Sequence, residues 1–199
     1  MSPISHFVGS WLIAAVTTDN LRDRKLVTLA GVIPDVDGMG ILIDWGKALL
    51  TGEPATYNYY HHYHHILLHG WPGALAVAIA LTFFAQKRWR VFLLCLVIFH
   101  VHLLCDLVGS RGPSPSDLWP ISYGEPLWRQ PIWIWRSQWR LDGWQNKVVF
   151  VGLFGSALWL ASTRGYSFLE LFSRKLDTTV VGVLQQWRTR ALARWRNRE

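Results

Sequence analysis

Charge is scarce in this chain: Asp, Glu, Lys and Arg make up 17% of the 199 residues, against roughly 25% in an ordinary soluble domain. Internal repeats and low-complexity tracts are missing too, which excludes a disordered, collagen-like or coiled-coil chain. There are two cysteines, Cys95 and Cys105, inside a single apolar run. On a helix they would stand about 15 Å apart along the axis, beyond disulfide reach, so no intramolecular bridge is expected. No Cys-x-x-Cys pair, Gly-rich phosphate loop or Gly-x-Ser-x-Gly elbow occurs, which argues against a structural zinc finger, a P-loop enzyme and an α/β-hydrolase. No Lys or Arg precedes the first apolar stretch, so Met1 to Asn20 is not expected to be a cleaved leader.

Apolar and aromatic residues are abundant. Hydrophobic residues account for 51% of the chain and 13 are tryptophans. The formal net charge is +7, which suits an anionic partner: a phospholipid surface, a phosphorylated substrate or a nucleic acid. Ile66 to Ala85 carries no formal charge over about the 20 residues a transmembrane helix needs. Gly70, Pro72 and Gly73 should kink that helix or delay its start. Val91 to Cys105 is likewise uncharged and runs straight into Asp106, while Phe7 to Val16, Leu26 to Ile33 and Val148 to Ser162 are shorter than a full span. Two long uncharged runs back to back predict an all-α, multi-pass helical membrane protein of the cell membrane, in preference to a soluble helical one.

Basic clusters punctuate these runs at Arg22, Arg24 and Lys25, at Lys87, Arg88 and Arg90, and along the C-terminal tail. Under the positive-inside rule they face the cytoplasm. Tracing the chain from those points brings His6, Asp35, His69 and Asp106 to the opposite, extracytoplasmic end. Gly109 to Asn146 mixes Pro, Ser, Arg and Trp and reads either as a loop at headgroup level or as a surface loop packed by its own aromatics. From about Asp177 the tail sets Val180, Leu184, Trp187, Ala191 and Trp195 at near-helical spacing among Arg188, Arg190, Arg194, Arg196 and Arg198. It reads as an interfacial amphipathic helix against membrane lipids, ahead of a docked cytoplasmic helix, and no nucleic-acid partner is expected. Residues 1–163, with the loop 109–147, form the expected membrane-embedded domain, and 164–199 the basic tail.

The eight histidines all lie between His6 and His102, five of them between His61 and His69. His102-Leu-Leu-Cys-Asp106 places an imidazole and a carboxylate at i and i+4, on one helix face about a turn apart. A carboxylate at the edge of an uncharged run is costly unless it is paired or binds a metal. Ile33-Pro34-Asp35-Val36-Asp37-Gly38 ends an apolar run on a predicted irregular turn where the two carboxylates can converge; either a cation site or a simple Asx turn fits. In Tyr63-His64-His65-Ile-Leu-Leu-His69, His65 and His69 share a helix face, and His64 meets His69 only if His64 precedes the helix. Such a mixed N and O set suits Zn²⁺, with Mn²⁺ or Fe²⁺ as alternatives. His100 falls on another face and is expected to be a spectator or a supporting residue.

Together these residues resemble the LexA-regulated, membrane-bound metal-dependent hydrolase family, also called YdjM-like. Its pattern falls here at His6, at Pro34-Asp35-Val36-Asp37, at Tyr63-His64-His65 with His69, at His102 with Asp106, and at Gly112-Pro113 with Trp119-Pro120. The resemblance covers roughly residues 1 to 125; Gly70 and Ser110-Arg111 depart from the usual residues. The family is distantly similar to zinc-dependent phospholipase C. The resemblance implies hydrolysis of a phosphoester or lipid-like substrate by a metal-activated water. It implies His6, Asp35, His64, His69, His102 and Asp106 as metal ligands and Asp37 and His65 as ligands or supporting catalytic groups; Arg111, where the chain departs from the family pattern, reads either as an ordinary loop arginine or as a cation that offsets charge on the substrate. The competing reading is a non-enzymatic membrane protein that binds or passes metal ions.

Overall fold

The computed structural model describes residues 1–54, 56, 58–64 and 68–196, and these are mostly helical. Eight α-helices are found among the described residues: α1 Pro3–Thr17, α2 Leu21–Ala30, α3 Gly40–Thr51, α4 Asn58–Tyr63, α5 Trp71–Thr82, α6 Arg88–Gly109, α7 Trp144–Arg164 and α8 Arg174–Arg196. Short 3-10 helices occupy Ile33–Met39 and Phe168–Leu171. One departure from an all-helical chain is an antiparallel pair, β1 Ile121–Ser122 and β2 Ile132–Trp133, within the Trp-rich segment.

Local chemistry explains where the helices start. Pro3 occupies the first turn of α1, and the Ser2 side chain accepts the Ser5 N–H, satisfying a donor the helix leaves open. Asn20 does the same for Asp23 at the start of α2. Pro72 opens α5, so the apolar run Ile66 to Ala85 yields a helix of only 12 residues. It is too short to cross a bilayer alone. The reverse correction applies to α7. The apolar stretch Val148 to Ser162 extends to a helix of 21 residues, because the buried Asn146 donates to the carbonyls of Gly109, Arg140 and Leu141 and lets a polar first turn pack.

The helices α6 and α7 are long and apolar enough to cross a membrane; α2 and α3, bent by 49° about the 3-10 turn, form a third segment that passes the same test as a pair. On α6, Val91, Cys95, Ile98, Phe99, His102, Leu103 and Asp106 are buried, while Leu93, Val97, Val101 and Leu104 point outward. That outward stripe carries no charge, as expected of a face against lipid. Helix α1 packs on α2 and α6 on one side, and on the other its Val8, Trp11 and Ala15 meet Ala157 and Leu160 of α7.

The basic clusters around Arg24 and Lys87 meet at one end. Asp19, between α1 and α2, pairs with Lys87 and Arg90. The hydrogen bond and charge of Lys87, with Arg90 beside it, hold the Asp19 carboxyl below its usual range. Buried Asp23 accepts the N–H groups of Gln86 and Lys87 and so ties α2 to the α5–α6 turn. At the same end, Arg24 Nε lies 2.7 Å from Glu170 Oε1 with both side chains buried. The contact is an ion pair rather than an aligned hydrogen bond, because Arg24 Nε has no hydrogen-bond partner. The Arg24 guanidinium also covers the Tyr166 ring at 4.0 Å. This pair fastens the Phe168–Leu171 turn, and α8 behind it, to the bundle. Arg24→Ala would leave Glu170 buried without its cation and is expected to cost about 3 kcal/mol. The check is thermal unfolding in detergent, where an unchanged midpoint would remove Arg24 as the fastening.

Helix α8 is docked at its start, where Asp177 and Val181 are buried, whereas residues 185–196 are exposed throughout. The Trp-rich segment packs on its own aromatics, with Tyr123 stacked on Trp133 at 4.3 Å and Trp135 edge-on to Trp139. It still exposes Leu127, Trp128 and Ile134.

Candidate metal centre

Away from the basic end, α1, the Ile33–Met39 turn, the segment before α5 and the end of α6 converge. His6, Asp35, His102 and Asp106 each offer a ligand atom there, all within 4.8 Å of one another. Asp106 is the hub. Its Oδ1 lies 3.0 Å from His6 Nε2 and its Oδ2 lies 3.1 Å from His102 Nε2. The His6 and His102 rings stack with centroids 3.8 Å apart. Ser110, one turn beyond Asp106, donates its hydroxyl to Oδ1 at 2.9 Å, and the Met1 ammonium rests on the same oxygen.

The state of His102 is fixed by a partner from another helix. Its Nδ1 lies 2.9 Å from the Gly31 carbonyl at the end of α2. A carbonyl only accepts, so Nδ1 carries a proton, and in the neutral ring Nε2 presents a lone pair. Nε2 faces Asp106 Oδ2 at 3.1 Å and Asp35 Oδ1 at 3.8 Å, and among the described residues neither His102 Nε2 nor Asp35 Oδ2 has a hydrogen-bond partner. The Met1 ammonium offsets charge on Asp106 Oδ1, but a neutral His102 ring leaves its lone pair facing Asp35 and Asp106 Oδ2, and a cation among them would relieve that repulsion. The donor set, two imidazoles and two carboxylates, fits a divalent ion of the zinc type. His6, Asp35, His102 and Asp106 are the residues that would hold it.

A second group adjoins the first. Asp37 sends Oδ1 to His64 Nδ1 at 2.8 Å and Oδ2 to His69 Nδ1 at 2.9 Å, and accepts the Leu68 N–H. His69 Nε2 in turn lies 3.6 Å from Asp106 Oδ2, so His69 links the two groups. Asp37, His64 and His69 could also hold an ion. Burial lowers the basicity of His69, but the hydrogen bonds and charges of Asp106 and Asp37 outweigh it and raise the pKa to about 9. Positive charge is therefore favoured at this junction.

Asp35 and Asp37 do not converge as the sequence suggests. The segment is a 3-10 helix, Ile33–Met39, with about three residues per turn. A spacing of two then points the carboxylates to different sides, one to each group. His64 does meet His69, because α4 ends at Tyr63 and His64 precedes α5. His65 lies outside the described residues. His100 is structural, with Nδ1 on the Leu96 carbonyl and Nε2 on the Tyr123 hydroxyl, both at 2.7 Å. Two contributors escaped the sequence reading. Ser110 had a usable signal, since it stands four residues after Asp106 on the same helical face. Gly31 had none.

An open cavity of about 1050 Å³ adjoins the centre, lined by Asp35, Asp106, His64, Ser110 and Arg111, by Asp117 and Asp142, and by Met39, Ile41, Leu42, Leu118, Trp119 and Leu141. The Arg111 backbone is held by Trp139 and Leu141. Its Nε is buried without a hydrogen-bond partner, and among the described residues no carboxylate pairs with it.

Asp37→Asn would keep the shape but weaken the acceptor that orients His64 and His69. Apparent metal affinity is expected to fall about 10- to 100-fold, read by competition with a chelator. An unchanged affinity would limit Asp37 to a structural part.

Neither a curated protein nor a solved structure matches this chain. A family match does extend past the motifs that end near residue 125, through α7 and the docked half of α8. Over residues 1–185 the chain matches the family model of the YdjM inner membrane protein, and it belongs to that family.

Proposed function

We propose that this protein is a membrane-bound metal-dependent hydrolase acting on a phosphoester. The observation that carries the reading is the convergence of His6, Asp35, His102 and Asp106, with the His102 ring set by the Gly31 carbonyl so that Nε2 faces both carboxylates. A divalent ion held there by His6, Asp35, His102 and Asp106, with zinc favoured over manganese or iron by the mixed donor set, would supply a water of lowered pKa and a Lewis acid for the phosphoryl oxygens. The protein's own groups provide the rest. Asp37 fixes the rings of His64 and His69, and His64, on the cavity wall, is placed to hold or pass a proton. Arg111 lines the same cavity and, among the described residues, forms no ion pair, so it can offset negative charge on a phosphoryl group.

The topology in this reading is multi-pass, with α6 and α7 crossing the bilayer. The basic end, with Arg24, Lys87, Arg88 and Arg164, faces the cytoplasm under the positive-inside rule. The metal centre then opens on the extracytoplasmic side, and the exposed half of α8 lies on the cytoplasmic lipid surface. Passage of metal ions is the second reading. A transport path needs ionisable groups spread through the membrane's depth, whereas the His and Asp residues collect at one end of α6.

The test is hydrolysis of bis(p-nitrophenyl) phosphate by the detergent-purified protein, with and without added Zn²⁺ or Mn²⁺. Metal-dependent release of nitrophenol that disappears in Asp106→Ala is expected. A metal-replete protein with no activity on phosphodiesters or phosphomonoesters would sink the hydrolase reading.

A further inference from the structure

We infer that the substrate is an amphiphile, with an anionic phosphoryl head at the metal centre and a long apolar chain lying along the Met39–Leu42 wall, taken in sideways from the bilayer. This inference rests on the hydrolase reading only for the fate of the head; the chain site stands on the cavity itself. At about 1050 Å³ the cavity reaches the upper end of the roughly 300–1,000 Å³ range of small-molecule sites. A bare phosphate ester fills a small part of it.

Most of the lining is apolar: beside Asp35, Asp106 and Arg111, and the further carboxylates Asp117 and Asp142, the wall carries Met39, Ile41, Leu42, Leu118, Trp119 and Leu141. A water-soluble substrate would leave that wall wet at a cost, whereas a hydrocarbon chain removes it from water. The wall also continues outward. Leu42, Trp45 and Leu49 stand at i, i+3 and i+7 on α3, on one helical face, and their exposures are 51%, 49% and 86%. An exposed apolar stripe that runs into a cavity ending at a cation-binding centre has the order of parts of a lipid in a leaflet: head, then chain. Since α2 and α3 together pass as one bent membrane segment, the stripe is a route from lipid to site.

The experiment uses the full chain, metal-loaded, in nanodiscs, with dodecylphosphonate and ethylphosphonate as probes and empty nanodiscs subtracted in calorimetric titrations. The two probes share a head and differ in chain. Dodecylphosphonate is expected to bind at least about tenfold more tightly, and Leu42→Asp should remove that advantage while leaving ethylphosphonate binding intact. Should Leu42→Asp lose ethylphosphonate binding as well, the milder Met39→Asn decides by the same criterion. Equal affinities, no binding of either probe, or a chain-length advantage that survives both variants overturns the inference, and equal affinities would identify a soluble phosphoester instead. Chain-dependent binding without turnover of any phosphoester would keep the chain site and remove the hydrolase reading, so the two failures are distinguishable.

Discussion

Purified in detergent with divalent metal supplied, the protein is expected to retain about one or more Zn²⁺, Mn²⁺ or Fe²⁺ per chain by elemental mass spectrometry, and His102→Ala and Asp106→Ala are each expected to lose it. Asp106 should have the larger effect. Its two oxygens serve different partners, His6 on one side and His102 on the other, and His69 Nε2 stands near as well. Removing this carboxylate takes out the charge that makes three imidazoles tolerable in one buried place. His102→Ala removes a single donor but leaves Asp35 and Asp106 facing each other with less to separate them. Asp106→Asn is the informative companion, because it keeps the volume and the Ser110 contact while discarding the charge. Loss of metal in Asp106→Asn together with a retained unfolding temperature would assign the carboxylate to the ion rather than to the fold. A native protein that holds no stoichiometric metal would make the whole cluster a polar network.

The second large effect is expected at a residue with no side chain. A Cβ built on Gly31 would stand 1.9 Å from Ser10 Oγ and 2.6 Å from Ile98 Cγ2. Here α1, α2 and α6 approach so closely that only glycine fits. Gly31→Val must push the end of α2 away from both neighbours, at an overpacking cost of about 1–3 kcal/mol or more. The same displacement moves the carbonyl that holds His102 Nδ1 at 2.9 Å, so metal affinity should fall about 10- to 100-fold. Stability and metal content would thus change together, although Gly31 touches no ion. The double variant Gly31→Ala with Ser10→Gly removes the nearest clash and is expected to recover part of both losses. Normal metal retention in Gly31→Val would show that His102 keeps its orientation by other means.

Much of the centre was legible because helical geometry is local. His102 and Asp106 share a face by the i, i+4 rule, and the alternation of basic clusters with His and Asp residues already brings His6, Asp35, His69 and Asp106 to one end. The limits were local as well. A run of uncharged residues does not state how many of them are helical, and Pro72 cut the helix within Ile66–Ala85 to 12 residues. Polar residues ahead of Val148 hid the first turn of α7, because Asn146 is satisfied by carbonyls from the Trp-rich segment.

The sequence by itself determined an apolar helical chain, two histidine and aspartate motifs with a fixed internal spacing, and a basic end set against an acidic and imidazole-rich one. These properties depend on residues within a few turns of one another. Only the tertiary structure decided which carboxylate serves which imidazole. A 3-10 turn sends Asp35 to His102 and Asp37 to His64 and His69, and the protonated nitrogen of His102 is chosen by a carbonyl 71 residues away. Arg111 was placed in the same way, in a cavity whose walls come from five separate stretches of chain and with no ion pair among the described residues. Pairings over such separations depend on how helices pack, and no local periodicity records them.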